Sequence, residues 1–155
     1  MRAIICALLL TLASSLSYAL NKEERKEFLN SIRPAVEMQA GQSIRFKVDK
    51  LNTDSGWAVL VGGLLGEVGK RMDWSKAKNC DENLDKMLWV VAQKVGQDWH
   101  VKEAYICSPE PPYWNLNPKV DYRRPCGIYA GLEITGSQTA EQECKAYQRK
   151  HPVKK

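Results

Sequence analysis

The side chains able to do chemistry are few, and their spacing is wrong for most reactions. Beyond residue 19 the chain has His100 in "WHVKE" and His151 in a basic tail. On a strand, two-residue alternation puts His100 and Glu103 on opposite faces, so His100 is expected to face solvent without a carboxylate partner. A hydrolase using His100, with carboxylates brought in by the fold, is therefore the weakest reading. No GxSxG elbow occurs, and Ser55 in "DSGW" falls in a turn. Asp81, Glu82 and Asp85 cluster in "CDENLD", which lacks the glycine on which a calcium loop turns. In "GGLLGEVGK", Gly63 and Gly69 have five residues between them where the Walker pattern needs four, and Arg71 follows Lys70 where it needs Ser or Thr. These glycines read as a strand end running into a flexible loop. The inventory calls for no catalytic residue, no metal and no cofactor.

The cysteines carry more information. Cys80, Cys107, Cys126 and Cys144 follow an apolar leader, "MRAIICALLLTLASSLSYA", that ends in small residues at Ala19. Residues 1–19 read as a signal peptide and residues 20–155 as one secreted domain, periplasmic or extracellular after cleavage near Ala19. An even cysteine count in an exported chain reads as two disulfides, with three connectivities open. No CxxC pair exists, which argues against zinc. The expected pairs are Cys80–Cys107 and Cys126–Cys144, because Cys80 precedes one predicted strand and Cys107 ends its hairpin partner. Each bridge stabilises by about 3 kcal/mol on the chain-entropy model.

Between Cys107 and Cys126 runs "CSPEPPYWNLNPKVDYRRPC", which holds five of the chain's seven prolines. Proline fixes φ and removes a backbone donor, so this stretch cannot join a sheet except at an edge. An ordered surface loop is expected, with Tyr113, Trp114 and Arg123 or Arg124 exposed. Trp, Tyr and Arg dominate binding hot spots, so these four, with the loop residue Trp74, are the candidate binding residues. The competing reading makes the loop a lid on the core edge. Trp57, Trp89 and Trp99 begin or lie within strands and are assigned to the core or a sheet face.

These residues need elements to hold them. Asn21 and Glu24 form a capping-box pattern, and Phe28, Leu29 and Ile32 share one face of a helix that Pro34 should end or kink. "SIRFKVDKL" alternates as a half-buried strand, and "WAVLVGGLL" returns from "NTDSG" as a central strand. Met87–Lys94 and Trp99–Ile106 form a second hairpin turning near Gly96 and Gln97. "TAEQECKAYQRK" reads as a helix capped by Thr139 with Gln142 at the third position. The order predicts an α+β domain: an antiparallel sheet of about four strands, an N-terminal and a C-terminal helix gathered on one side, and two disulfides.

The segments "RPAVE", "GQSIRFKVDKL", "GWAVLVGGL", "MDW" and "GQDWHVKEAYI" together resemble a pattern in small exported bacterial proteins of unknown function. There, a helix ending near Arg-Pro precedes two hairpins, each with a Gly- or Asp-Trp at its return. The resemblance spans roughly residues 30 to 106 and implies no activity.

Of 23 Lys and Arg, one (Arg2) leaves with the leader, so 22 face 18 acidic residues and the net charge is +4. That surplus is dispersed, unlike a nucleic-acid footprint, and no later run of apolar residues is long enough to span a membrane. The leading expectation is a periplasmic non-enzymatic binding protein: an inhibitor or immunity protein acting on a toxin or cell-envelope hydrolase, its partner another envelope protein. The alternative is a small-ligand or envelope-polymer binder with a pocket between sheet and N-terminal helix. A sheet face filled by Phe46, Trp89 and Trp99 would leave no room for that pocket. Oligomeric state is not legible at this level.

Overall fold

The computed structural model describes residues 20–152, so the leader lies outside the described residues. Helix α1 (Lys22–Ala40) starts where the capping box is. Asn21 Oδ1 accepts from the Glu23 and Glu24 N–H groups at 3.0 Å, and the Asn21 N–H donates to the Glu24 carboxylate at 2.9 Å. Of the two outcomes expected at Pro34, an end or a kink, the helix does not end there; it continues for six further residues to Ala40, and Gly41 beyond it adopts φ +65°. Asn30, whose carbonyl the proline ring displaces, and Pro34 itself are both exposed, so water can solvate the freed carbonyl. Phe28, Ile32, Val36 and Ala40, spaced by four, are all fully buried against the sheet and carry the helix past the proline.

Strands β1 (Arg45–Asp54), β2 (Trp57–Leu65), β3 (Asp85–Val95) and β4 (Asp98–Ser108) form an antiparallel meander in that order. Ser55 and Gly56 turn β1 into β2, both at positive φ, as a tight hairpin of this kind requires. Gly62 and Gly63 lie inside β2 and not in a loop. At Gly62 a Cβ would stand 2.0 Å from the Lys47 carbonyl oxygen, so only glycine lets β1 lie this close.

The two central strands are buried on both faces. Ala58, Leu60, Leu88, Val90 and Ala92 point to α1, where Phe28 meets Trp99 edge-on at 5.1 Å. Val59, Trp89 and Val91 point the other way, into a second core with Tyr122, Cys126, Ile128, Tyr129, Leu132 and Cys144. This second layer consists of 3₁₀ turns at Pro112–Trp114, Asp121–Arg123 and Cys126–Tyr129, the short strands β5 (Glu133–Thr135) and β6 (Gln138–Thr139), and helix α2 (Ala140–Lys150). The two helices therefore lie on opposite faces of the sheet, not on one. One helix cannot cover both sides of a sheet whose central strands are apolar on both.

Polar straps and a disulfide tie the second layer down. Asn52 Nδ2 donates to the carbonyls of Ile128 (3.1 Å) and Ala130 (2.8 Å), and the Gly127 N–H donates to Asp54 Oδ2 at 3.1 Å. Thr139 caps α2, reciprocally bonded with Gln142, and the buried Cys144 of that helix is joined to Cys126. The other bridge, Cys80–Cys107, fastens the loop before β3 to the end of β4. Two disulfides fit an exported protein, and no helix among the described residues is long and apolar enough to cross a membrane.

Candidate functional site

The proline-rich stretch does not stand out from the surface. It folds back across the second face of the sheet and seats Tyr113 on Trp89, with ring centroids 6.1 Å apart and planes tilted by 38°. Leu116 packs into the same core. Trp114 stays 47% exposed, while its indole N–H donates to the Glu133 carbonyl at 3.2 Å, which fixes the ring against β5. The prolines hold the turns open to neither strand pairing nor collapse, and the two disulfides anchor the stretch at both ends.

The consecutive arginines separate. Arg123 is exposed, whereas Arg124 is only 9% exposed and cannot serve as a surface anchor. Arg124 reaches inward over the Trp57 ring, its guanidinium carbon 5.3 Å from the centroid. Its Nη2 donates to Glu103 Oε1, and its Nη1 lies 2.9 Å from Asp121 Oδ1, an ion pair not aligned as a hydrogen bond. Glu103 also accepts from the Trp89 indole at 3.5 Å, and Asp121 from the Asn117 N–H. Burial pushes the Asp121 carboxyl up, against the Asn117 bond and the Arg124 charge that lower it. Burial alone would lower the Arg124 pKa, but the bond to Glu103 and its charge hold it above the usual range. Tyr129, beneath this cluster, donates to the Asp121 carbonyl at 3.1 Å and is raised by burial to about 12.

Glu103 joins this cluster because β4 bulges. Val91 pairs with Glu103 but Ala92 pairs with Val101, leaving Lys102 as the extra residue. The bulge reverses the alternation, so His100 and Glu103 share a face after all, contrary to the simple three-residue count. The face they share does not make them a pair: Glu103 is bonded to Arg124 and Trp89, while His100 is exposed. His151 stacks on Tyr147 at 4.2 Å.

Trp74 is not brought to this region. It sits half-buried on the α1 side of the sheet, packed against the first core, with Lys86 Nζ 5.9 Å from its ring centroid. Trp89 likewise does not share a sheet face with Phe46 and Trp99, which belong to the α1 core. The centre of the interface between α1 and the sheet, the place expected for a ligand pocket, is filled by the fully buried Phe28, Ile32, Val36 and Ala40, and a cleft is left between the C-terminal end of α1 and the end of β4.

On the opposite face a cleft of about 370 Å³ opens between the end of β4 and the proline-rich stretch. Trp89 is its floor, Tyr105 and Ser108 its β4 wall, Pro112, Leu116 and Val120 the opposite wall, and Glu103, Glu110 and Asp121 supply carboxylates. Tyr105 and Val120 remain about half exposed at its rim. Glu110 accepts from the Asn115 amide at 2.9 Å, which orients it. The cleft's carboxylates already have partners: Glu103 and Asp121 are paired with Arg124, and Glu110 with Asn115. Among the described residues no group of three or more His, Cys, Asp or Glu side chains could hold a metal ion. Sequence reasoning missed Tyr105, Glu110, Asp121 and Val120; only Glu103 had been weighed, and the bulge concealed its true orientation.

Comparison with family models, with curated proteins and with solved structures finds no match for this chain.

Proposed function

We propose that the chain is a non-enzymatic binding protein of the cell envelope that acts by occupying another protein, as an inhibitor or immunity protein of a toxin or envelope hydrolase does. One observation carries this reading. Tyr105, Trp114 and Val120 are left 46%, 47% and 53% exposed on and beside a stretch whose backbone is fixed by prolines and two disulfides. Large apolar side chains held exposed on rigid backbone lose little entropy on association, which is what a tight binding surface requires.

The test is capture of envelope proteins by the mature, oxidised chain, compared with its Trp114→Ala and Tyr105→Ala variants. A partner that is retained by the parent and lost from either variant, with thermal unfolding unchanged, supports the reading. Affinity should fall by at least about 1 kcal/mol in each variant. If Trp114→Ala instead lowers only the melting temperature, the stretch is a lid on the second core and the proposal fails.

A further inference from the structure

We infer that the free edge of β4, from Glu103 to Ser108, accepts an extended segment of a partner protein that turns basic side chains toward Glu103, Glu110 and Asp121. The inference rests on the reading above and specifies the partner's chemistry.

The strand is the last in the sheet order and, among the described residues, pairs only with β3. Its outer side is a row of backbone groups that can pair with another chain. Ala104 marks the outward direction: its carbonyl points off the sheet and accepts from Gln39 Nε2 at 2.9 Å. By strand alternation the backbone groups of Ile106 point the same way. The first half of the edge carries the usual guards against pairing, a bulge at Lys102 with Lys102 and His100 exposed. Among the described residues, the side chain bonded to the outward backbone from Glu103 onward is that of Gln39.

The clefts beside this edge match what an added strand needs. Side chains of a strand alternate between faces, so an added strand must find room on both. The cleft of about 370 Å³ lies on the face of the second layer, and another of about 410 Å³ lies on the α1 face, lined by Met38, Gln39, Lys78, Ala104, Ile106 and Cys107. Tyr105 borders both, and Met38 is 64% exposed. On the face of the second layer the three carboxylates of Glu103, Glu110 and Asp121 line the cleft, and the one buried guanidinium beside them, Arg124, pairs with Glu103 and Asp121 alone. Local charge is therefore negative in a chain whose net charge is +5. That complementarity selects lysine or arginine on one face of the incoming segment and apolar residues on the Met38 face.

The probe is a labelled octapeptide alternating lysine and valine, titrated into the mature oxidised chain by fluorescence anisotropy. Saturable binding that weakens with salt is expected, with protection of the Ile106 amide from hydrogen exchange. Replacing the lysines by glutamate, or a central valine by proline, should each weaken it by about tenfold or more. Glu110→Lys, an exposed change, should do the same while leaving thermal unfolding unchanged. Equal binding of the glutamate peptide removes the charge argument, and equal binding of the proline peptide removes strand pairing; either overturns the inference, as does absence of binding. Self-association of the chain through β4 also overturns it, since the edge is then taken by a second copy. If a protein partner is captured yet Glu110→Lys leaves capture intact, the binding-protein reading stands and this inference falls.

Discussion

Arg124, at the end of the proline-rich stretch, is bonded through its Nη2 to Glu103 on β4, twenty-one residues earlier, and this pair joins the second layer to the edge of the sheet. Both groups have left bulk water, Arg124 at 9% and Glu103 at 25% side-chain exposure, so each depends on the other for compensation.

Breaking the pair on one side should be costly. Arg124→Met leaves Glu103 and Asp121 without their cation and should destabilise by about 3 kcal/mol, partly relieved because Glu103 can take water from the cleft. Glu103→Gln should cost less, because Arg124 keeps Asp121. Urea unfolding of both single variants and the double variant measures the coupling. A double variant whose cost equals the sum of the singles would show that the pair is not coupled.

The second core should also set an alkaline limit. Burial raises the Tyr129 phenol from its ordinary 10.0 to about 12, and Tyr122 is raised too, by burial and by its bond to Glu143. Because the folded values lie above the unfolded one, the native state holds protons that the unfolded chain releases. This contribution to stability is complete below pH 10 and is lost as pH climbs through about 12. Unfolding free energy measured from pH 9 to 12 should fall across that window. In Tyr129→Phe the fall should be shallower, after an initial loss of about 1 kcal/mol for the hydrogen bond to the Asp121 carbonyl.

Gly62→Ala tests the close approach of β1 and β2. The new Cβ would meet the Lys47 carbonyl oxygen at 2.0 Å, a backbone atom that cannot rotate aside. The strands must separate, and a loss of about 3 kcal/mol or more is expected by chemical denaturation. The same change at Gly63, which meets nothing within 4 Å, should cost far less and serves as the control.

Removing the Cys126–Cys144 bridge with paired alanines should cost about 3 kcal/mol on the chain-entropy model. The loss should concentrate in the second layer. Amides of residues 122–147 should gain hydrogen exchange before those of β2 and β3, because the sheet keeps its α1 core when the outer layer loosens. Uniform loss of protection would show that the two cores unfold as one unit.

Much of the fold was legible in the chain because the relevant forces are local. The cap at Asn21, the turn at Ser55–Gly56, the alternation through Phe46 and Val48 and the cap at Thr139 each depend on neighbours a few residues away. A four-stranded antiparallel sheet with a helix at either end follows from them, and it is what the structure contains. Other features needed contacts between distant segments. Pro34 could remain inside α1 because Val36 and Ala40 beyond it find the sheet. The second helix went to the opposite face because Trp89 and Val91 required cover there. A single extra residue at Lys102 reversed the faces of β4, and no property of Lys102 itself announces a bulge. Arg123 and Arg124 are the sharpest case: adjacent and identical in type, one faces solvent and the other is buried between two carboxylates. Residue type sets what a side chain can do. Whether it is spent on the interior or left for a partner is decided by which charges the tertiary fold brings within reach, because a buried guanidinium is tolerated only where carboxylates compensate it.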